Sequence, residues 1–135
     1  MDVGSELKAV QTIEADEHGA GNVEGVAVDT KGFKDALVVF NCGAVKTGGT
    51  AAVHIEESDD GSTNWGDIAG AAFAGITSSN DIAMYQGRVR ITPTRKRYLR
   101  AYAVIGTAAV SLAVSIILGD AQNLPAAEPA FDIHG

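Results

Sequence analysis

Cysteine is nearly absent from this sequence of 135 residues: Cys42 stands alone, so no intramolecular disulfide can staple the fold. Four-ligand zinc sites built on thiolates are excluded on the same ground. Cys42 closes an apolar run and reads as a small buried core residue. Aromatic residues are also sparse, with one Trp, three Tyr and four Phe, so Val, Ile, Leu and Ala must supply most of a core. Only three prolines occur against sixteen glycines, a balance that favours many tight turns between short strands. Basic residues are outnumbered by acids, giving a net charge of −7. That sign opposes nonspecific attraction to nucleic acid and to anionic lipid. The longest apolar run, Ala108–Leu118, is too short to span a bilayer as a helix, so no membrane partner is expected. The start, MDVGSELKAV, lacks the basic and apolar regions of a signal peptide, so synthesis and assembly in the cytoplasm are expected.

Period-two alternation fills much of what is present. Ala51, Val53 and Ile55 point one way and Ala52, His54 and Glu56 the other, the pattern of a half-buried strand. Tyr98–Ile105 alternates in the same way, and Val110, Leu112, Val114, Ile116 and Leu118 share one face. Ala36–Cys42 is β-branched or aromatic on both faces, as in a central strand. Further strands are expected at Val23–Val28 and, as one strand or two with Gly87 between them, within Ile82–Thr92. The region Ser5–Ile13 fits either a helix start or a short strand, with a loop to follow through EADEHGAGN. The segment GDIAGAAFAGITSSND reads as a long connection between sheets. About eight short strands separated by turn signals predict an all-β, single-domain β-sandwich, ahead of a barrel, over residues 1–118, with 1–7 a flexible N-terminus. Residues 119–135, holding Pro125, Pro129 and the apolar Phe131, are expected to form an extended C-terminal arm that docks.

The motifs that would carry catalysis are weak. His54–Trp65, HIEESDDGSTNW, can be aligned as a calcium loop through Glu56, Ser58, Asp60, Gly61 and Asp67, but it follows a strand where that motif needs a helix. Asp60-Gly61 between alternating segments is a hairpin signal instead. Fragments of a serine β-lactamase signature, Ser5-Glu6-Leu7-Lys8 and Lys46-Thr47-Gly48, lack the third element and the required α/β context. His18, His54 and His134 have no metal-ligand spacing with one another. No nucleophile elbow, P-loop or dinucleotide fingerprint occurs, so neither an enzyme nor a bound cofactor is expected.

Charge is unevenly placed. Six of the ten basic residues fall within Arg88–Arg100, and five acids fall within Glu56–Asp67. Patches of opposite sign suit protein–protein contact, and the competing reading is ordinary solvated strand faces. The candidate contact residues are Arg95, Lys96, Arg97, Arg100, Glu56, Asp59, Asp60 and Phe131. Trp65, Tyr85, Tyr98 and Tyr102 could alternatively stack sugars, as in a carbohydrate-binding or adhesin-like module. The competing expectation for Trp65 is that it fills the core after the hairpin.

Three segments in order, AVDTKGFKDALVVFNCGAV, VHIEESDDGSTNWGDI and RKRYLRAYAVIGTAAVSLAVSIILG, resemble the head decoration, or cement, proteins of tailed bacteriophages. The resemblance runs from Ala27 to Gly119 and leaves both ends uncovered. It implies a jelly-roll-like sandwich without an active site, in which the RYLR strand pairs with the apolar strand after it. It also implies a virion protein on the outer capsid surface, bridging subunits of the major capsid protein as a dimer or trimer. A phage tail or connector component would share this composition.

Overall fold

A computed structural model describes residues 8–119, together with the backbone of residues 132–133. Every regular element among the described residues is a strand: β1 (Lys8–His18), β2 (Gly21–Glu24), β3 (Val28–Asp29), β4 (Asp35–Val45), β5 (Thr50–Ser58), β6 (Gly66–Ala72), β7 (Ala83–Arg90), β8 (Tyr98–Gly106), β9 (Val110–Gly119) and β10 (Asp132–Ile133). They form two sheets, ordered β1-β9-β4-β7-β10 and β2-β8-β5-β6, with β3 also paired to β8. With β2 and β3 taken as one interrupted strand, β5–β6 is the sole connection between neighbours in one sheet. All the other links among β1–β9 cross the sandwich, the winding of a jelly roll.

The alternation expected from the sequence sets the two inner faces. Ala36, Val38, Phe40 and Cys42 of β4 meet Val110, Leu112, Val114, Ile116 and Leu118 of β9 on one side. Ala51, Val53 and Ile55 of β5 with Leu99, Ala101, Ala103 and Ile105 of β8 form the other. Phe40 is the largest fully buried side chain, and its ring meets Phe73 edge-on at 5.3 Å between centroids. Cys42 is buried as expected, and burial together with nearby Asp81 pushes its thiol pKa up. β4 is central, held between β9 and β7.

Several boundaries differ from the sequence reading. β1 continues through Glu14–His18, where a loop is expected, because β9 pairs with it as far as His18↔Val110. Two register shifts in β1, between Gln11 and Ile13 and between Ile13 and Asp16, fit its acidic end onto an apolar partner. The expected strand Val23–Val28 breaks at Gly25–Ala27, where Gly25 donates to Ala101 O (2.8 Å) and Val26 to Thr12 O (2.7 Å). Ile82–Thr92 holds one strand rather than two, with Gly87 inside β7. The expected long connection after Trp65 contains β6, paired with β5.

One difference changes the topology. The RYLR strand, β8, and the apolar β9 do not pair: they belong to opposite sheets. Their short link includes Thr107 at φ 69°, and the chain crosses the sandwich there instead of closing a hairpin. Of the C-terminal arm, Gly119 ends β9 and Asp132–Ile133 runs parallel to β7 at Arg88 and Val89. Phe131, His134 and the N-terminal residues 1–7 lie outside the described residues.

Candidate functional site

The acidic hairpin and the basic segment, far apart in sequence, meet at one end and on one outer face of the sandwich. The links β3–β4, β5–β6 and β7–β8 lie at this end, and their charges pair there. Arg97 donates two bonds to Asp29, at 2.8 and 2.7 Å. That guanidinium, ahead of the Lys31 backbone N–H, lowers the Asp29 carboxyl pKa to about 2. Arg95 pairs with Glu57 at 3.1 Å with its side chain only 5% exposed, and the Lys96 backbone N–H donates to the same carboxylate oxygen.

Asp60 serves the hairpin itself. Its Oδ2 accepts from the Thr63 hydroxyl at 2.6 Å, and its Oδ1 accepts from the Thr63 and Ser62 backbone N–H groups at 2.8 and 3.0 Å. These bonds, the Thr63 hydroxyl first, hold its pKa well below the usual carboxylate range. Gly61 takes φ 75° beside the Tyr98 ring, so the Asp-Gly turn signal is realised within a longer loop. The calcium alignment does not assemble. The Ser58 hydroxyl donates to Thr63 O, Asp60 is committed to loop donors, and of the aligned acids only Glu56 and Asp67 face each other.

On the outer face of the second sheet, strand register makes a compact polar cluster. Glu56 is opposite Arg100 on β8 and Asp67 on β6, while His54 is opposite Tyr102. Arg100 Nε donates to Glu56 Oε1 at 2.8 Å, and its Nη1 lies 3.9 Å from Glu24. The same guanidinium covers the Trp65 ring at 4.3 Å and reaches Tyr102 at 5.7 Å. Trp65 is therefore not a core residue: it is half-buried against a cation on the outer face, and Phe40 and Phe73 fill the core in its stead. His54 Nε2 lies 3.4 Å from Glu56 Oε2 and 3.2 Å from Asp67 Oδ1.

Of the eight candidate contact residues, Arg95, Arg97, Arg100, Glu56 and Asp60 thus have intramolecular partners. Asp59 is exposed and Lys96 half-exposed, with no side-chain ion pair seen for either among the described residues. The four candidate sugar-stacking aromatics do not share a surface. Trp65 and Tyr102 come together, but Tyr85 belongs to the first sheet, with its ring 5.9 Å from Phe40 and its hydroxyl donating to Asn80 O. The His54–Glu56–Asp67 trio escapes a search for histidine spacing because its members come from two strands. The available signal is a His-x-Glu pair on an alternating strand, followed by an acid just after the hairpin.

No family model matches the chain, and no curated protein matches it. Among solved structures it is similar to PBSX exported protein XepA, at 15% identity and TM-score 0.57, covering 90% of this chain and 40% of that one. It is also similar to the structure of infectious bursal disease virus Gx strain, at 12% identity and TM-score 0.52, covering 88% and 34%. The chain therefore spans less than half the length of either. Identities this low establish a shared sandwich fold and nothing finer.

Proposed function

We infer that this chain is a non-enzymatic structural protein of a phage virion, which binds the outer capsid surface and stabilises the shell by bridging major capsid subunits. The observation that carries this reading is the jelly-roll winding, in a chain whose sandwich fold is shared over most of its length with an exported protein and with a virus structure. The three ordered segments that resemble phage decoration proteins favour the same role. Fold alone hosts many functions, so the assignment rests on the two together. Internal pairing of Arg95 with Glu57 and of Arg97 with Asp29 restrains side chains at the charged end, and a pre-ordered surface loses less entropy on docking. Lys96 and Asp59, at that end, are the side chains offered to a partner, and a homo-oligomer would multiply weak contacts on a symmetric shell.

The test uses phage heads lacking the protein. Added chain should co-sediment with them and raise their resistance to heat or chelation. Failure both to co-purify with mature heads and to rebind depleted ones would sink the reading.

The outward position of Trp65 and Tyr102 favours a second reading, a carbohydrate-binding module. In that case Trp65 fluorescence should respond to glycans; an unchanged spectrum across a glycan panel rejects it.

A further inference from the structure

We propose that His54, Glu56 and Asp67 form a binding site for a transition-metal dication of the Zn2+ class on the outer face of the second sheet, clamping edge strand β6 to β5. The site is independent of any capsid role.

The backbone supplies the geometry. His54 and Glu56 are two residues apart on β5 and so share a face, and Asp67 is the register partner of Glu56 on β6. Their ligand atoms all lie within 4.8 Å of one another. A tetrahedral zinc with bonds of about 2.0–2.1 Å holds its ligand atoms roughly 3.3–3.4 Å apart, since a tetrahedron's edge is about 1.6 times its centre-to-vertex distance. His54 Nε2 stands 3.4 Å from Glu56 Oε2 and 3.2 Å from Asp67 Oδ1, so two edges already have that length. The Asp67 side chain is 74% exposed and can rotate to close the third. Three protein ligands leave the fourth position for water or for a partner's side chain.

The surroundings orient the ligands as metal sites require. Arg100 holds the other oxygen of Glu56, leaving Oε2 directed at His54. Tyr102 lies against the His54 ring at 5.2 Å between centroids. Arg100 also opposes a second cation, but it is paired with Glu56 and lies near Glu24, and with Asp67 beside His54 the three carboxylates leave the cluster net negative. An imidazole nitrogen selects against Ca2+ and Mg2+, hard cations that take oxygen ligands, and three protein ligands fall short of the roughly six to eight that Ca2+ takes. The clamp has a mechanical use. Pairing of β5 with β6 shifts register between His54↔Ala72 and Glu56↔Asp67, and the trio spans that irregularity.

The test titrates ZnCl2 into the untagged, chelator-stripped full chain, by calorimetry and by thermal melting. The expected result is one Zn2+ per chain with a micromolar Kd, a rise of several degrees in Tm, and no rise with Ca2+ or Mg2+. His54→Ala and Asp67→Ala, both outward-facing changes, should keep the fold by circular dichroism and weaken binding by about tenfold or more. His18→Ala and His134→Ala should leave it unchanged. A wild-type Kd weaker than about 1 mM, or undiminished binding in folded His54→Ala, overturns the proposal.

Discussion

Gly25 sits where the chain passes from β2 to β3, wedged between Ala101 of β8 in its own sheet and Thr12 of β1 in the opposite one. A Cβ there would meet Ala101 O at 2.5 Å and the Thr12 hydroxyl closer still. The Thr12 hydroxyl donates to Val26 O and accepts from Ala101 N–H, so little at this junction can give way. Gly25→Ala should therefore lower stability by about 1–3 kcal/mol, read as a fall in Tm. Gly75→Ala, with open space around it, should be close to neutral. Asp35 presents a second single-residue dependence: it is 2% exposed and receives two bonds from Arg88, at 3.1 and 3.0 Å. Asp35→Ala removes the carboxylate from beside Arg88 and Arg90, and urea melts should show a loss of about 3–5 kcal/mol. In the sequence Asp35 is one acid next to a turn, and nothing local distinguishes it from Asp59. Burial makes the difference, and burial is set by strands β7 and β9 on either side.

At the scale of elements, the alternating strands β5, β8 and β9 are legible from period two alone, because each has one face against the core. β1 and β6 are not legible in the same way. Both are sheet edges whose exposed sides accept Glu, Asp, Gly and Ala, which blurs the alternation. The connections carry the charge, and there the pH response can be worked out. Asp29 has a folded pKa of about 2 against an unfolded value of 3.8. Its contribution is therefore complete above about pH 4 and is lost as pH falls toward 2. Asp29 is 40% exposed, so solvent screening limits that contribution to less than about 1 kcal/mol. Asp29→Asn should lower Tm by about 3 °C at pH 7, and the gap from wild type should vanish near pH 2. A gap that persists in acid would place the effect in packing rather than in the carboxylate. Asp60, lowered in the same direction by the hairpin donors, should add to this acid sensitivity, and Asp60→Asn should flatten it.

At the scale of the whole molecule, the winding places the loops 30–34, 59–65 and 91–97 together at one end, so a contact surface need not be continuous in sequence. If that end meets the capsid, Lys96→Glu and Asp59→Lys should each reduce binding to depleted phage heads by about tenfold. Their melting curves should stay unchanged, because neither side chain is paired within the described chain. Arg97→Gln should instead lower Tm, and any effect on head binding should follow from that loss. Equal retention of both charge-reversed variants on heads would move the contact surface to another face.

What the sequence determined by itself was the class of the protein: strands, a sandwich, a core of Val, Ile, Leu and Ala, and a hairpin at His54–Trp65. These follow from local chemistry, since alternation and turn residues act between neighbours in the chain. Only the tertiary structure decided which strands pair, that β8 and β9 separate, that Trp65 faces outward under Arg100, and that Arg95 and Arg100 pair with Glu57 and Glu56 while Arg97 turns to Asp29. Each of these depends on contacts between residues tens of positions apart, where sheet register and the direction of a crossing link set the outcome. Composition and spacing are the same whether Arg100 faces a partner or faces Glu56; the register of β5 against β8 puts it on Glu56.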